Sequence, residues 1–157
     1  MSGHRSVFRR ATFVCLCALL AGCLQAAAAD ASSDPCSLIT KAEVEKALGA
    51  GAAMNSTRNP RTGMSECRLK PGSMKGITEI IMVVHPATGW ETTKKAFMGS
   101  GAKPVPGLGD DAFVARFLGY NVRRGNRYVQ VFGDMRNEDK ANDKATRYLA
   151  ERAASRM

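Results

Sequence analysis

The nine residues Ile77–His85, ITEIIMVVH, constrain the fold more than any other stretch of the chain. β-Branched residues fall on both parities of the run, so a strand built from it is apolar on both sides of the pleat. Such a strand belongs inside a sheet that is covered, at least in part, on both faces. The rest of the chain must therefore supply strands to flank it and helices to cover it.

The flanking sequence supplies both. In CSLITKAEVEKALGAG, Thr40 and Glu43 spell a capping box, and Ile39 with Val44 a hydrophobic staple. Ala47 and Leu48 continue an apolar face and Gly49 stops it, which predicts a helix over Lys41–Leu48. Residues 50–64, rich in Gly, Asn, Pro and Ser, read as a long loop. SECRLK is a short strand, and PGSMKG is a turn before the central run. TGWETTKKAFMGSG is helical, with Trp90 and Phe97 seven apart and Gly99 closing it. AKPVPGLGDD is a turn-rich loop. AFVARF, YNVRR and RYVQVF, separated by Leu118-Gly119 and Gly125-Asn126, form an antiparallel meander. The final NEDKANDKATRYLAERAA is a helix, with Glu138 and Asp139 early, Arg152 late, and an apolar stripe of Ala141, Ala145, Tyr148 and Leu149. The predicted order is α-β-β-α-β-β-β-α. The expected class is α+β, an antiparallel sheet with its helices packed on one face. Helix followed by strands occurs twice, which raises the question of a pseudo-repeat.

The first residues have a different character. MSGHRSVFRR is basic, ATFVCLCALLAG is apolar and uncharged, and small residues follow, which is the layout of an export signal. The apolar run is shorter than the roughly 20 residues that span a bilayer. Two processing sites lie close together. Leu20-Ala-Gly-Cys23 spells a bacterial lipobox, in which Cys23 receives the lipid. Ala27–Ala29 spells an A-x-A site for soluble release. A cysteine placed directly after Leu-Ala-Gly is the rarer coincidence, so the expectation is a signal peptide over residues 1–22 with its lipobox at 20–23. A flexible tether over 23–35 and one domain over 36–157 follow. The alternative is a soluble protein cut after Ala29.

Of the five cysteines, Cys15 and Cys17 leave with the signal and Cys23 belongs to the lipobox. Cys36 and Cys67 remain, and export carries them into oxidising surroundings. A bridge between them closes a loop of about 31 residues, and chain entropy makes that worth about 3–4 kcal/mol. Without the signal's three arginines the chain has 20 basic residues against 14 acidic, a net charge of +6. That favours encounter with anionic surfaces. Export makes nucleic acid an unexpected partner.

Few residues invite chemistry. Gly107–Ala112 satisfies G-x-G-x-x-A, but a dinucleotide loop needs a strand before it and a helix after it, and neither is predicted. Gly107 and Gly109 are better read as conformational. Asp110 and Asp111, as neighbours on a strand, point to opposite faces and lack the ligand count of a calcium site. His85 is the only histidine after the signal, with no G-x-S-x-G nucleophile to serve. No catalytic residue, metal site or cofactor is expected. Arg123, Arg124 and Arg127 around one hairpin, with Tyr120 and Tyr128 near, are the candidate anion-binding residues.

Taken in order, CSLITKAEVEKALG, SECRL, VPGLGDDAFVA, VRRGNRYVQV and the closing helix resemble a widespread class of uncharacterised bacterial envelope lipoproteins. The chain is similar, over residues 36–150, to a domain of unknown function common in actinobacterial lipoproteins. More distantly it resembles the extracellular sensor domains of mycobacterial receptor kinases. The resemblance implies an α+β domain, a Cys36–Cys67 bridge and no catalytic residues. The expected function is a non-catalytic, exported envelope lipoprotein. It would be tied to the membrane through lipid on Cys23, facing the periplasm or cell exterior, and would bind an envelope protein or an anionic ligand. The alternatives are a soluble periplasmic polyanion binder and a small hydrolase using His85 with Asp110 or Asp111.

Overall fold

The structure, a computed structural model, describes residues 34–133 and 140–157. The signal, the lipobox with Cys23, most of the tether, and Glu138 and Asp139 lie outside the described residues.

A 3-10 turn at Pro35–Leu38 leads into α1 (Lys41–Leu48). Then come β1 (Ala53–Arg58), β2 (Ser65–Lys70), β3 (Ile80–Pro86), α2 (Trp90–Met98) and β4 (Lys103–Pro104). The chain ends with β5 (Asp111–Ala115), β6 (Gly119–Arg124), β7 (Arg127–Phe132) and α3 (Lys140–Ala154). Among the described residues the strands form one antiparallel sheet of seven, ordered β1-β2-β3-β7-β6-β5-β4. The class is α+β, and the sequence of elements follows the predicted one with two strands added. β3 lies third in the order with β7 at its side, an interior position as its two apolar faces require.

Local chemistry sets the elements. The Thr40 hydroxyl accepts the Glu43 N–H at 3.3 Å, and the Glu43 carboxylate accepts the Thr40 N–H at 2.9 Å. Two otherwise orphaned donors of α1 are thereby satisfied. Ile39 and Val44 are both buried, as the staple needs. Gly49 ends the helix at φ +92°. Gly109, at φ +63°, sits where a Cβ would lie 2.5 Å from the Arg123 carbonyl oxygen on β6. The GxGxxA spelling thus encodes a tight approach between backbones, and β5 follows it in place of a helix.

Three readings change. Residues 50–64 are not one loop: Ala53–Arg58 pairs with β2 over its whole length as the outer strand β1. Its side chains are almost all exposed, so it shows no apolar alternation, and its strand character comes from pairing alone. Within AKPVPGLGDD, Lys103 and Pro104 make a two-residue edge strand against β5. The helices also divide between two faces. α1 and α3 cover one face, where Val44, Leu48, Leu149 and Ala153 pack on Leu69, Ile80, Met82, Val122, Val129 and Val131. α2 covers part of the other, where Trp90 and Phe97 meet Phe113, Ala115 and Tyr128. A two-fold relating the halves of this sheet would run perpendicular to it and keep α1 and α2 on one face, so the pseudo-repeat is not present.

Candidate functional site

Register places four chemically active side chains in one row across the α2 face. His85 on β3 is opposite Tyr128 on β7, Tyr128 is opposite Arg123 on β6, and Arg123 is opposite Asp111 on β5. The His85 ring stacks on Tyr128 with centroids 4.6 Å apart and planes 9° from parallel. Trp90 abuts the same tyrosine at 5.2 Å. The Trp90 indole N–H donates to Asp111 at 2.9 Å, and the Lys94 ammonium reaches both oxygens of that carboxylate at 2.7 and 2.9 Å. Burial pushes the Asp111 carboxyl up, but the bonds from Lys94 and Trp90 outweigh it and hold the group below the usual carboxylate range. Desolvation lowers the His85 imidazole, opposed by Gln130, and its buried Nε2 has no hydrogen-bond partner among the described residues.

This row separates the groups a hydrolase would need together. His85 and Asp111 are three strand positions apart, roughly 14 Å at the usual interstrand spacing. Orientation of an imidazole by a carboxylate needs hydrogen-bond contact. The Asp111 carboxylate is committed to fastening α2 to the sheet. Asp110 accepts the Gly125 N–H at 2.7 Å and so holds the β6–β7 turn. Among the described residues no group of three or more His, Cys, Asp or Glu is placed to hold a metal ion.

The structure splits the proposed anion-binding set. Arg123 faces α2, beside Asp111. Arg124 and Arg127 are opposite each other on the α3 face. There they donate to the Ala154 carbonyl at 3.1 Å and to the Met157 backbone oxygen at 3.3 Å. Arg124 thereby satisfies one of the orphan carbonyls at the C-terminus of α3, and both cations complement its dipole. Alternation along a strand is the physical reason for the split: Arg123 and Arg124 are adjacent and must diverge.

Beside them lies a clasp that sequence reasoning missed. The Arg156 guanidinium makes two 2.8 Å bonds to the two oxygens of Glu43 and a 2.9 Å bond to the Leu38 carbonyl. Arg152 approaches the same carboxylate at 3.8 Å. Glu43 thus serves the α1 cap and anchors the end of α3. The Arg156 hydrogen bonds lead in holding its carboxyl near 2. No local signal could have revealed a partner 113 residues away.

Cys36, in the first 3-10 turn, and Cys67, on β2, form a disulfide with Cα atoms 5.0 Å apart. It joins the N-terminal 3-10 turn to an interior strand of the sheet. No described helix is long and apolar enough to cross a membrane. Comparison of the chain with protein-family models, curated proteins and solved structures finds no match.

Proposed function

We propose that this protein is a non-catalytic, exported domain of the bacterial cell envelope, tethered to a membrane by lipid on Cys23, and that it presents its folded part to a partner protein or ligand. The observation that carries the reading is the Cys36–Cys67 disulfide, 13 residues after the lipobox cysteine. A bond of this kind persists in oxidising compartments outside the cytoplasm. Its position also suits a tethered domain, since it fixes the tether's end covalently to β2. The separation of His85 from Asp111, with both aspartates bound to structural partners, favours binding over hydrolysis.

The test is the intact mass and fractionation of the mature protein. An N-terminal, diacylated or triacylated Cys23 and partition with membranes in high salt are expected, because acyl chains are held by apolar burial and not by charge. Cys23→Ala should abolish the acyl mass. A wild-type protein beginning at Asp30 in the soluble envelope fraction refutes the anchor. Loss of a cellular phenotype in His85→Gln or Asp110→Asn, with folding intact, overturns the non-catalytic reading.

A further inference from the structure

The outer surface of α3 and α1 carries an organised positive charge. Lys140, Lys144, Tyr148 and Arg152 recur every four residues along α3, a row that winds about 40° around the helix per step, and Arg156 follows just past the helix end. All four cations are exposed. Lys46, reaching from α1, lies over the Tyr148 ring at 5.2 Å, and Arg152 lies against the same ring at 5.3 Å. Tyr148 thus holds cations of both helices together by cation–π attraction. Glu43 is the carboxylate bound into this group, by Arg156 and Arg152. The neighbouring row is self-contained: Arg147 pairs with Glu151, and Asp143 accepts from the Tyr120 hydroxyl. Arg124 and Arg127 add positive charge at the C-terminal end of α3.

The tether enters at this same surface. Arg156 binds the Leu38 carbonyl, so the 3-10 turn that receives the tether is fastened to the end of α3. Asp34 follows Cys23 by eleven positions, a reach of at most about 40 Å, comparable with the width of a domain this size. An acylated Cys23 therefore keeps the domain within reach of the bilayer without choosing its face, and the positive charge of this surface is what favours it. One acyl-linked anchor combined with a basic patch is the arrangement that gives firm attachment to anionic lipid.

We infer that the α1–α3 surface docks on the anionic headgroups of the membrane that carries the chain, turning the α2 face of the sheet outward. The inference rests on the lipid-anchor reading for its geometry, and its test separates the two. Lipidated wild-type protein is reconstituted in vesicles of phosphatidylcholine alone or enriched in phosphatidylglycerol, and lysine acylation by a soluble active ester is followed by mass spectrometry. On the anionic vesicles Lys46, Lys140 and Lys144 should react about threefold or more slowly, with recovery in high salt. Lys95, exposed on α2 across the sheet, should react alike on both. Equal rates on the two vesicles, or equal slowing at Lys95, overturn the docking while leaving the anchor standing. In a second arm, the mature chain carrying Cys23→Ala is sedimented with the same vesicles. Its binding to anionic vesicles should fall about tenfold or more in the K46Q/K140Q/K144Q variant, whose melting temperature is checked against the parent. That result supports the docking even where wild-type Cys23 proves unacylated, in which case only the anchor fails. Protection of these lysines by heparin but not by anionic vesicles assigns the surface to a soluble polyanion and overturns the membrane proposal.

Discussion

At Glu43 one carboxylate does two jobs, and its titration should be visible in stability. Its folded value near 2 lies below the ordinary 4.5 of a free glutamate, chiefly because Arg156 binds it. A group depressed on folding contributes stability that is complete above its unfolded pKa and is lost as pH falls through the folded one. Acid unfolding should therefore steepen between about pH 4.5 and 2. Arg156→Ala should flatten that segment and lower stability modestly at neutral pH, since the pair is solvent-screened. Chemical denaturation across the pH range measures both. His85 titrates with the same sign in a different window. Burial lowers its imidazole from 6.5, so the unfolded chain takes up the proton first and stability declines as pH drops below 6.5. His85→Phe preserves a ring against Tyr128 and removes the proton site. Its stability should be level where the wild type slopes, and persistence of the slope would place the titration elsewhere.

Elements differ in how much of them a single stretch of sequence declares. α1 is written in full, because its cap, staple and terminating glycine all act within ten residues. β3 declares its interior position, because two apolar faces have no other use. β1 declares little: apart from Met54, which packs partly against the core, AMNSTR is exposed, and the hydrogen bonds of β2 make it a strand. α2 shows an apolar face through Trp90 and Phe97, but the side of the sheet it covers depends on how the chain crosses after β3. The arginine hairpin was legible as a cluster but not in its division between faces, since strand alternation sends Arg123 to one face and Arg124 with Arg127 to the other. The basic ridge of α3 had a readable signal, its four-residue spacing. The GLG segment offers a matched test of local geometry. Gly107 has φ +78° with open space around it, so Gly107→Ala should cost about 1 kcal/mol from backbone strain alone. Gly109→Ala adds a 2.5 Å collision with the Arg123 carbonyl, which cannot retreat without breaking the β5–β6 pairing. It should cost clearly more, roughly 2–4 kcal/mol. Equal costs in urea titrations would show that the approach of the two backbones is not a constraint.

The whole molecule is small enough that one covalent link matters to all of it. Cys36→Ala should lower stability by about 3–4 kcal/mol, since the unfolded chain regains the freedom of the closed loop. In a domain this size that displaces the melting temperature by roughly 10 °C or more. Reductant should reproduce the shift in the wild type and leave the variant unchanged. The strand order has a further consequence, in time. β1, β2 and β3 pair with their sequence neighbours, and so do β4, β5, β6 and β7. The two meanders join at one seam, β3 against β7, where Ile81 meets Phe132 across 51 residues of chain. Local pairings form early and a long closure forms late. On the exported route proposed above, a chain leaving a translocation pore N-terminus first would complete its first meander, and oxidise Cys36 with Cys67, while β7 is still inside. The seam then closes last, with α3 arriving to cover it, so the protein is sealed only when its final residues are delivered.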